Sequence, residues 1–125
     1  MKNKIAVALL AGLFSMGASA QVEIQWWHSM TSVNGEWVND LAKEFNASQN
    51  KYKVTPIYKG SYDESMTAAI AAYRAGNAPH ILQVFEVGTA MMMASGKAIK
   101  PVGEVMKEAG QKFDPSAYIP AVAGY

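Results

Sequence analysis

Histidine and serine stand side by side at His28 and Ser29, directly after the apolar run VEIQWW. Such a pair could supply a base and a nucleophile, but Ser29 lies in no G-x-S-x-G elbow. His28 has no other nucleophile at a recognisable spacing. We therefore interpret His28 as a structural or pocket-lining histidine and predict no catalytic residue.

Metal and nucleotide sites are disfavoured by residue type and spacing. His28 and His80 are the only histidines, no H-E-x-x-H pattern occurs, and the chain has no cysteine. The consecutive methionines Met91–Met93 are interpreted as helix packing, since no further methionine pair flanks them. Gly60 and Gly88 form neither a dinucleotide fingerprint nor a Walker loop. The sequence thus predicts no metal site and no cofactor.

Short β-rich runs predict three strands that would position these residues. The strands are expected at Val22–Trp27, Tyr52–Tyr58 and His80–Phe85. Pro56 places the second strand at a sheet edge, because proline cannot donate to a ladder. The apolar run of the third strand predicts that both of its faces are covered.

Apolar residues at helical spacing predict helices between and after these strands. The first runs from Val33 to about Gln49, where Trp37, Leu41 and Phe45 recur every four residues. The second is capped by Ser61 and ends at Gly76. Its apolar stripe consists of Met66, Ala69, Ile70 and Tyr73. Two shorter helices are predicted at Thr89–Ser95 and Glu104–Ala109.

The alternation of three strands with two helices is half of a doubly wound α/β sheet. Crossovers of this length imply parallel pairing and right-handed connections. Ligands of open α/β sheets bind outside the carboxyl ends of the strands. These ends carry three polar clusters, which we call the ligand rim: Trp27–Ser29, Lys59–Tyr62 and Glu86–Gly88.

Each side chain of the ligand rim also has a structural interpretation. Glu86 could accept charge-assisted hydrogen bonds from ligand hydroxyls, each worth ~1.5–3 kcal/mol, or it could pair with a lysine or arginine of the same lobe. Tyr62 could offer its ring and hydroxyl to a ligand or pack over the turn. Trp26 and Trp27 point to opposite faces of the strand, which predicts one core residue and one pocket wall.

Length and composition narrow the class of protein. With 125 residues, the chain is long enough for one domain. Its 11 Lys+Arg against 10 Asp+Glu lack the basic excess typical of nucleic-acid binders. A hydrophobic fraction of 50% argues against disorder, and the absence of cysteine excludes a disulfide framework.

The first twenty residues have the pattern of a secretory signal peptide. Lys2 and Lys4 precede the apolar run Ile5–Phe14, and Ala18-Ser19-Ala20 matches the A-x-A cleavage pattern. A membrane anchor would need ~20 apolar residues, about twice the length of this run. We predict a signal peptide over residues 1–20 and an exported, periplasmic chain over residues 21–125.

Three motifs carry a family resemblance: W-W-H-S-M, Y-K-G-S-Y-D-E and R-A-G-N-A-P-H-I-L-Q-V-F-E-V-G-T-A. They resemble the periplasmic sn-glycerol-3-phosphate-binding proteins of bacterial ABC importers. These proteins are a branch of the extracellular solute-binding family, which includes maltodextrin binders. The resemblance extends from Gln25 to Tyr125, with departures at Phe85, where relatives often have tyrosine, and at Gly96.

The resemblance implies that residues 21–125 form an incomplete N-terminal lobe of a type II periplasmic-binding-protein fold. Two lobes of such a receptor close on the ligand and present it to transmembrane permease subunits. In the family, the tyrosine ending Y-K-G-x-Y and the glutamate of Q-V-x-E-V-G contact the ligand; here they are Tyr62 and Glu86. Further candidates on the same rim are Trp27, His28, Ser29 and Lys59.

A phosphate ligand poses an electrostatic problem for this rim. A phosphate monoester carries about −1.5 to −2 charges near neutral pH and usually meets arginine, lysine or a helix N-terminus. Arg74 is the only arginine and falls at the end of the second helix, and Glu86 would repel a phosphate. We hypothesise that this lobe holds the glycerol end, while most phosphate contacts come from sequence beyond residue 125.

The expected function is binding of sn-glycerol 3-phosphate or its diesters, without turnover. A sugar or oligosaccharide receptor, with more aromatic stacking, is the alternative within the family. A secreted hydrolase is the alternative from another class, and it lacks a visible nucleophile, acid pair or metal set. Because such receptors are several times longer, we interpret the chain as a truncated or partial one that lacks high-affinity binding.

Overall fold

The computed structural model describes residues 20–123, and the side chains up to residue 121. The signal peptide predicted for residues 1–20 lies outside the described residues except for Ala20, and so stays a prediction. None of the helices in the described part is both long enough and apolar enough to cross a membrane.

Strands and helices alternate along the described chain, as predicted for an α/β fold. Three strands are present, β1 at Val22–His28, β2 at Tyr52–Tyr58 and β3 at Ile81–Leu82. The helices are α1 at Ser32–Ser48, α2 at Tyr62–Arg74, α3 at Glu86–Ala94, α4 at Val102–Glu108 and α5 at Pro120–Ala123. Single 3-10 turns lie at Gly96–Ala98 and Pro115–Ala117.

The three strands form one parallel sheet in the order β2-β1-β3. β1 pairs with β2 from Val22↔Tyr52 to His28↔Tyr58, and with β3 at Trp26↔Ile81 and Trp27↔Leu82. The parallel pairing and the position of β2 at an edge confirm two sequence predictions. Because the chain leaves central β1 for one neighbour and returns to the other, the strand order reverses at the β1/β3 boundary. Such a boundary is a topological switch point.

The third strand is shorter than the predicted His80–Phe85 because, at both of its ends, side chains and not backbone carbonyls accept the hydrogen bonds from the β1 segment. His80 Nδ1 accepts a hydrogen bond from Gln25 N at 3.1 Å, and Gln83 Oε1 accepts one from Ser29 N at 2.9 Å. The ladder to β1 is thereby reduced to Ile81–Leu82. Ile81 is 41% exposed, so the prediction that both faces are covered is wrong for the described structure.

Helix α1 buries small side chains rather than its large apolar stripe. Gly35, Val38 and Ala42 face the sheet, whereas Trp37 is 61% exposed. A Cβ atom at Gly35 would lie 3.0 Å from the carbonyl oxygen of Met30, so the helix approaches the preceding turn closely. The periodicity placed the helix to within one residue at each end, and the buried Val38 and Ala42 lie directly beside the stripe of Trp37, Leu41 and Phe45.

Helix α2 begins with the cap that the sequence predicts. Glu64 N donates to Ser61 Oγ at 3.3 Å, and Ser61 N donates to Glu64 Oε2 at 2.7 Å, which together form a capping box. The hydrogen bond from the Ser61 backbone lowers the pKa of the Glu64 carboxyl. The helix ends before Gly76, whose φ of 76° is readily adopted only by glycine. The capping box at Ser61 fixes the direction in which α2 leaves the ligand rim.

Candidate functional site

Backbone hydrogen bonds join the segments that follow β2 and β3 to the end of β1. The carbonyl oxygen of His28 accepts from Lys59 N at 2.9 Å on the β2 side. The carbonyl oxygen of Trp27 accepts from Gln83 N at 3.0 Å on the β3 side. The segments that follow β2 and β3 therefore leave the sheet beside the residues that follow β1, as parallel pairing requires.

Trp27 and Lys59 form a cation–π pair at the rim. Lys59 Nζ lies 3.9 Å from the centroid of the Trp27 ring, and Trp27 is only 8% exposed. The indole Nε1 donates to Gln25 Oε1 at 3.2 Å. Trp27 is thus the core member of the tryptophan pair, while Trp26 is half-buried. The contact holds the Lys59 ammonium beside the end of the central strand.

His28 is a buried and hydrogen-bonded histidine. It is 4% exposed, and its Nδ1 accepts a hydrogen bond from Met30 N at 3.3 Å. Burial lowers the pKa of the imidazole below its usual value, which favours the neutral ring. Because Nδ1 is the acceptor, the neutral ring carries its proton on Nε2. These contacts support the interpretation of His28 as a residue that shapes the turn after β1.

Ser29 is anchored through its backbone, and its hydroxyl is enclosed. Ser29 N donates to Gln83 Oε1, while Ser29 Oγ is buried and has no hydrogen-bond partner within the described residues. Gln83 was not among the predicted site residues. The sequence signals for it were its polar side chain in the middle of the apolar run HILQVF and its place as the first residue of the Q-V-x-E-V-G motif.

Tyr62 stacks on Phe85 at the junction of α2 and α3. The ring centroids are 5.1 Å apart with an interplanar angle of 8°, and Tyr62 remains 38% exposed. A Cβ atom at Gly88 would lie 2.8 Å from Phe85 Cε1 and 2.9 Å from Met66 Sδ, so α3 packs tightly on α2. One face of the Tyr62 ring is therefore packed, which agrees in part with the structural interpretation of this residue. The rest of its side chain remains accessible.

Glu86 is the first residue of α3, whereas the sequence prediction placed the start of this helix at Thr89. Its exposed carboxylate lies at the positive end of the helix dipole. Within the described part of the chain, the ion pairs are Lys53–Glu23 and Lys100–Glu108, and Glu86 has neither an ion pair nor a hydrogen bond. The alternative of an internal ion pair is thus not observed for Glu86.

Arg74 lies in the last turn of α2, at the opposite end of the helix from Tyr62. Two mainly apolar cavities of about 280 Å³ and 360 Å³ also lie away from the rim. The first lies between α2, β3, α3 and the turn after α3, and the second between β3, α3 and α4. Leu82 and Met92 line both cavities, and none of the six predicted site residues does. Among residues 20–123 no group of three or more histidine, aspartate or glutamate side chains could hold a metal ion.

The parallel α/β sheet, with polar side chains gathered outside its carboxyl ends, is consistent with part of a periplasmic-binding-protein lobe, so the predicted fold class is confirmed. Comparison with known proteins then identifies the relatives. No profile of a known protein family matches the chain. The chain is 55% identical over 120 residues to the sn-glycerol-3-phosphate-binding periplasmic protein UgpB of Pectobacterium atrosepticum. It is 56% identical over 124 residues to that of Yersinia enterocolitica, and 56% identical over 121 residues to that of Escherichia coli K12.

These alignments cover 96%, 99% and 96% of the chain, respectively. They confirm the resemblance to the sn-glycerol-3-phosphate-binding periplasmic proteins that the motifs indicated. The chain spans only 27–28% of the length of these relatives, so it corresponds to about a quarter of such a protein.

Proposed function

We propose that residues 21–125 form part of the N-terminal lobe of a periplasmic solute-binding protein. The complete protein would bind sn-glycerol 3-phosphate, or its diesters, and deliver it to the permease subunits of an ABC importer. The proposal is supported by identities of 50–56% to relatives that are named for binding this phosphate in the periplasm. The signal pattern of residues 1–20 is in keeping with export.

The observation that carries the proposal is the pairing of a partly exposed tyrosine with a carboxylate that has no partner within the described residues. Tyr62 and Glu86 leave neighbouring helix N-termini, and Phe85 connects them by stacking on Tyr62. A carboxylate accepts hydrogen bonds from hydroxyl groups, and a phenol can donate and accept. This chemistry suits the diol end of glycerol 3-phosphate.

The charges of the rim also favour an orientation of the ligand in which its glycerol end lies at Glu86. The carboxylate of Glu86 would repel a phosphate beside it, and Arg74 is at the far end of α2. Lys59 supplies an ammonium on the rim, on the β2 side of the central strand. We infer that the glycerol hydroxyls face Glu86, and that the phosphate faces away from it, toward groups that lie outside this chain.

Binding without turnover is part of the proposal, since the relatives are named as binding proteins. The described rim offers poor catalytic groups. His28 is buried with Nδ1 occupied, and the hydroxyl of Ser29 is enclosed. Neither could act on a substrate without rearrangement of the turn after β1.

Calorimetric titration tests this function. A hybrid in which residues 21–125 replace the matching part of the Escherichia coli relative supplies the remaining three quarters of such a protein. We expect saturable binding of sn-glycerol 3-phosphate and none of maltose. Maltose binding without glycerol phosphate binding would favour the sugar receptor. Steady release of product from a phosphodiester would favour the hydrolase.

A further inference from the structure

Gln83 occupies the switch point between the central strand and its β3 neighbour. Its backbone N–H donates to the carbonyl oxygen of Trp27 at 3.0 Å, and its side-chain Oε1 accepts from Ser29 N at 2.9 Å. The carboxamide therefore continues the β1/β3 ladder by one bond beyond the last paired residues. One backbone hydrogen bond to Trp27 and one side-chain hydrogen bond to Ser29, two residues further along, restrain both the backbone and the carboxamide of Gln83.

The bond to Ser29 also fixes which way the amide of Gln83 faces. A backbone N–H needs an acceptor, so the oxygen of the carboxamide must face Ser29 and the nitrogen must face away. Within the described residues Nε2 makes no hydrogen bond. It is not among the enclosed polar atoms either, in contrast to Ser29 Oγ. The Gln83 carboxamide thus has a defined orientation, and its N–H₂ group is not fully enclosed and makes no hydrogen bond within the described residues.

The surroundings of this donor belong to the ligand rim. Gln83 lies two residues before Phe85, which stacks on Tyr62, and three residues before Glu86. Strand-order reversal at the β1/β3 boundary is where open α/β sheets leave a crevice for ligands. A neutral donor three residues before an acidic acceptor would be complementary to the hydroxyl groups of one ligand, which accept from the amide and donate to the carboxylate.

We propose that Gln83 is a ligand-binding residue whose side-chain N–H₂ donates to a hydroxyl oxygen of a polyol phosphate, with Ser29 as the residue that positions it. The inference rests on the proposed function and deepens it, because it assigns a donor to the glycerol end. It also gives Ser29 a role through its backbone N–H, since its hydroxyl is enclosed.

The test substitutes Gln83 in the hybrid protein defined above. Gln83→Glu keeps an acceptor for Ser29 N and removes the amide donor, whereas Gln83→Met removes both. Gln111→Glu, on an exposed side chain without a partner in the described part, controls for the added negative charge. The ligands are sn-glycerol 3-phosphate and two analogues that each lack one hydroxyl, propane-1,2-diol 1-phosphate and propane-1,3-diol monophosphate.

Loss of one neutral hydrogen bond should weaken binding of sn-glycerol 3-phosphate to Gln83→Glu by about five- to tenfold more than binding of one of the two analogues. The melting temperature of Gln83→Glu should stay near that of the parent, and that of Gln83→Met should fall. Equal weakening for all three phosphates would overturn the inference, because it would show charge repulsion alone. Unchanged affinity in Gln83→Glu would overturn it too, leaving Gln83 as a strand connector. Failure of the unsubstituted hybrid to bind glycerol phosphate would overturn the proposed function and this inference with it.

Discussion

Replacement of Glu86 by glutamine tests whether its carboxylate accepts hydrogen bonds from the glycerol end of the ligand. The substitution keeps the size of the side chain and one acceptor oxygen, and it removes the charge. Since Glu86 is exposed at the first position of α3 and has no ion pair or hydrogen bond in the described part, little else depends on it. Loss of the helix-dipole interaction costs about 0.3–1 kcal/mol of stability.

Two opposing effects set the change in affinity. A hydrogen bond to a charged acceptor contributes about 1.5–3 kcal/mol and a neutral one about 0.5–1.5, so each hydroxyl bond loses about 1–1.5 kcal/mol. Relief of repulsion works against this loss. At about 6 Å through water a unit charge pair is worth about 0.7 kcal/mol, which 0.15 M salt roughly halves. For a phosphate of about −1.5 to −2 charges the relief is about 0.5–0.7 kcal/mol.

For a ligand that makes one hydroxyl bond to Glu86, the net expectation is a loss of roughly 0.3–1 kcal/mol, which corresponds to about two- to fivefold weaker binding. The weakening should grow with ionic strength, because salt screens the repulsion more than the short hydrogen bond. Titration calorimetry of the hybrid at low and moderate salt measures this change in affinity. Glu36→Gln, at an exposed position of α1, is the control with the same loss of charge. Tighter binding in Glu86→Gln would refute the reasoning, since Glu86 would then face the phosphate. Unchanged affinity and stability would place Glu86 outside the site.

Three further outcomes are expected in the same hybrid. Ser61→Ala removes the capping box of α2 and should lower stability by about 0.5–2 kcal/mol in thermal unfolding, whereas Thr67→Ala on the same helix should not. Gly88→Ala forces a Cβ atom against Phe85 Cε1 and should both lower the melting temperature and weaken ligand binding; normal values for both would show that α3 can shift freely. Burial lowers the pKa of folded His28, so the unfolded chain binds a proton first as pH falls. Stability should therefore decline below about pH 6.5, and His28→Gln should flatten that decline in melting curves taken between pH 5 and about pH 8; an identical slope in both proteins would contradict the assignment.

Local sequence signals predicted most of the secondary structure. The spacing of apolar residues placed α1 and α2, and Ser61 correctly predicted the cap at the start of α2. The parallel sheet followed from the length of the crossovers. These features depend on residues that are near in sequence, or on chain geometry, so a single sequence is sufficient to specify them.

The predictions that were wrong depended on contacts between distant residues. At the two ends of the observed β3, the side chains of His80 and Gln83 accept hydrogen bonds from backbone N–H groups more than fifty positions away. These bonds replace the backbone ladder that was predicted there. α3 began at Glu86 because Phe85 ends the extended segment by packing on Tyr62. Along α1 the residues at four-residue spacing stay exposed, and Val38 and Ala42 beside them are buried instead, because periodicity alone does not determine which edge of an apolar stripe packs.

The candidate site shows the same difference between local sequence signals and contacts of distant residues. Glu86 and Tyr62 could be predicted because parallel topology sends strand ends to one edge, and because the motifs resembled a known family. Gln83 was not predicted, although it opens the Q-V-x-E-V-G motif, because the role proposed for it depends on a hydrogen bond from Ser29 across the switch point. That partner is 54 residues away and cannot be read from the sequence around Gln83.

The distribution of charge on the rim bears on how a complete receptor would close. Glu86 repels phosphate, Gln83 offers a neutral donor, and the single ammonium of Lys59 is held on Trp27. A ligand with hydroxyls at one end and a dianion at the other would then be held by this rim at the first end alone. Its phosphate would be satisfied only when cationic or N–H donors of another lobe reach it.

A ligand shifts a conformational equilibrium only by its differential affinity for the two states. A ligand that bridges two lobes has such a difference, because it contacts both lobes only in the closed state. Glycerol without phosphate should therefore bind weakly and fail to close the hybrid, while sn-glycerol 3-phosphate should reduce its radius of gyration in small-angle scattering. Equal compaction by both would show that closure does not depend on the phosphate, and would remove the reason for dividing the ligand between lobes.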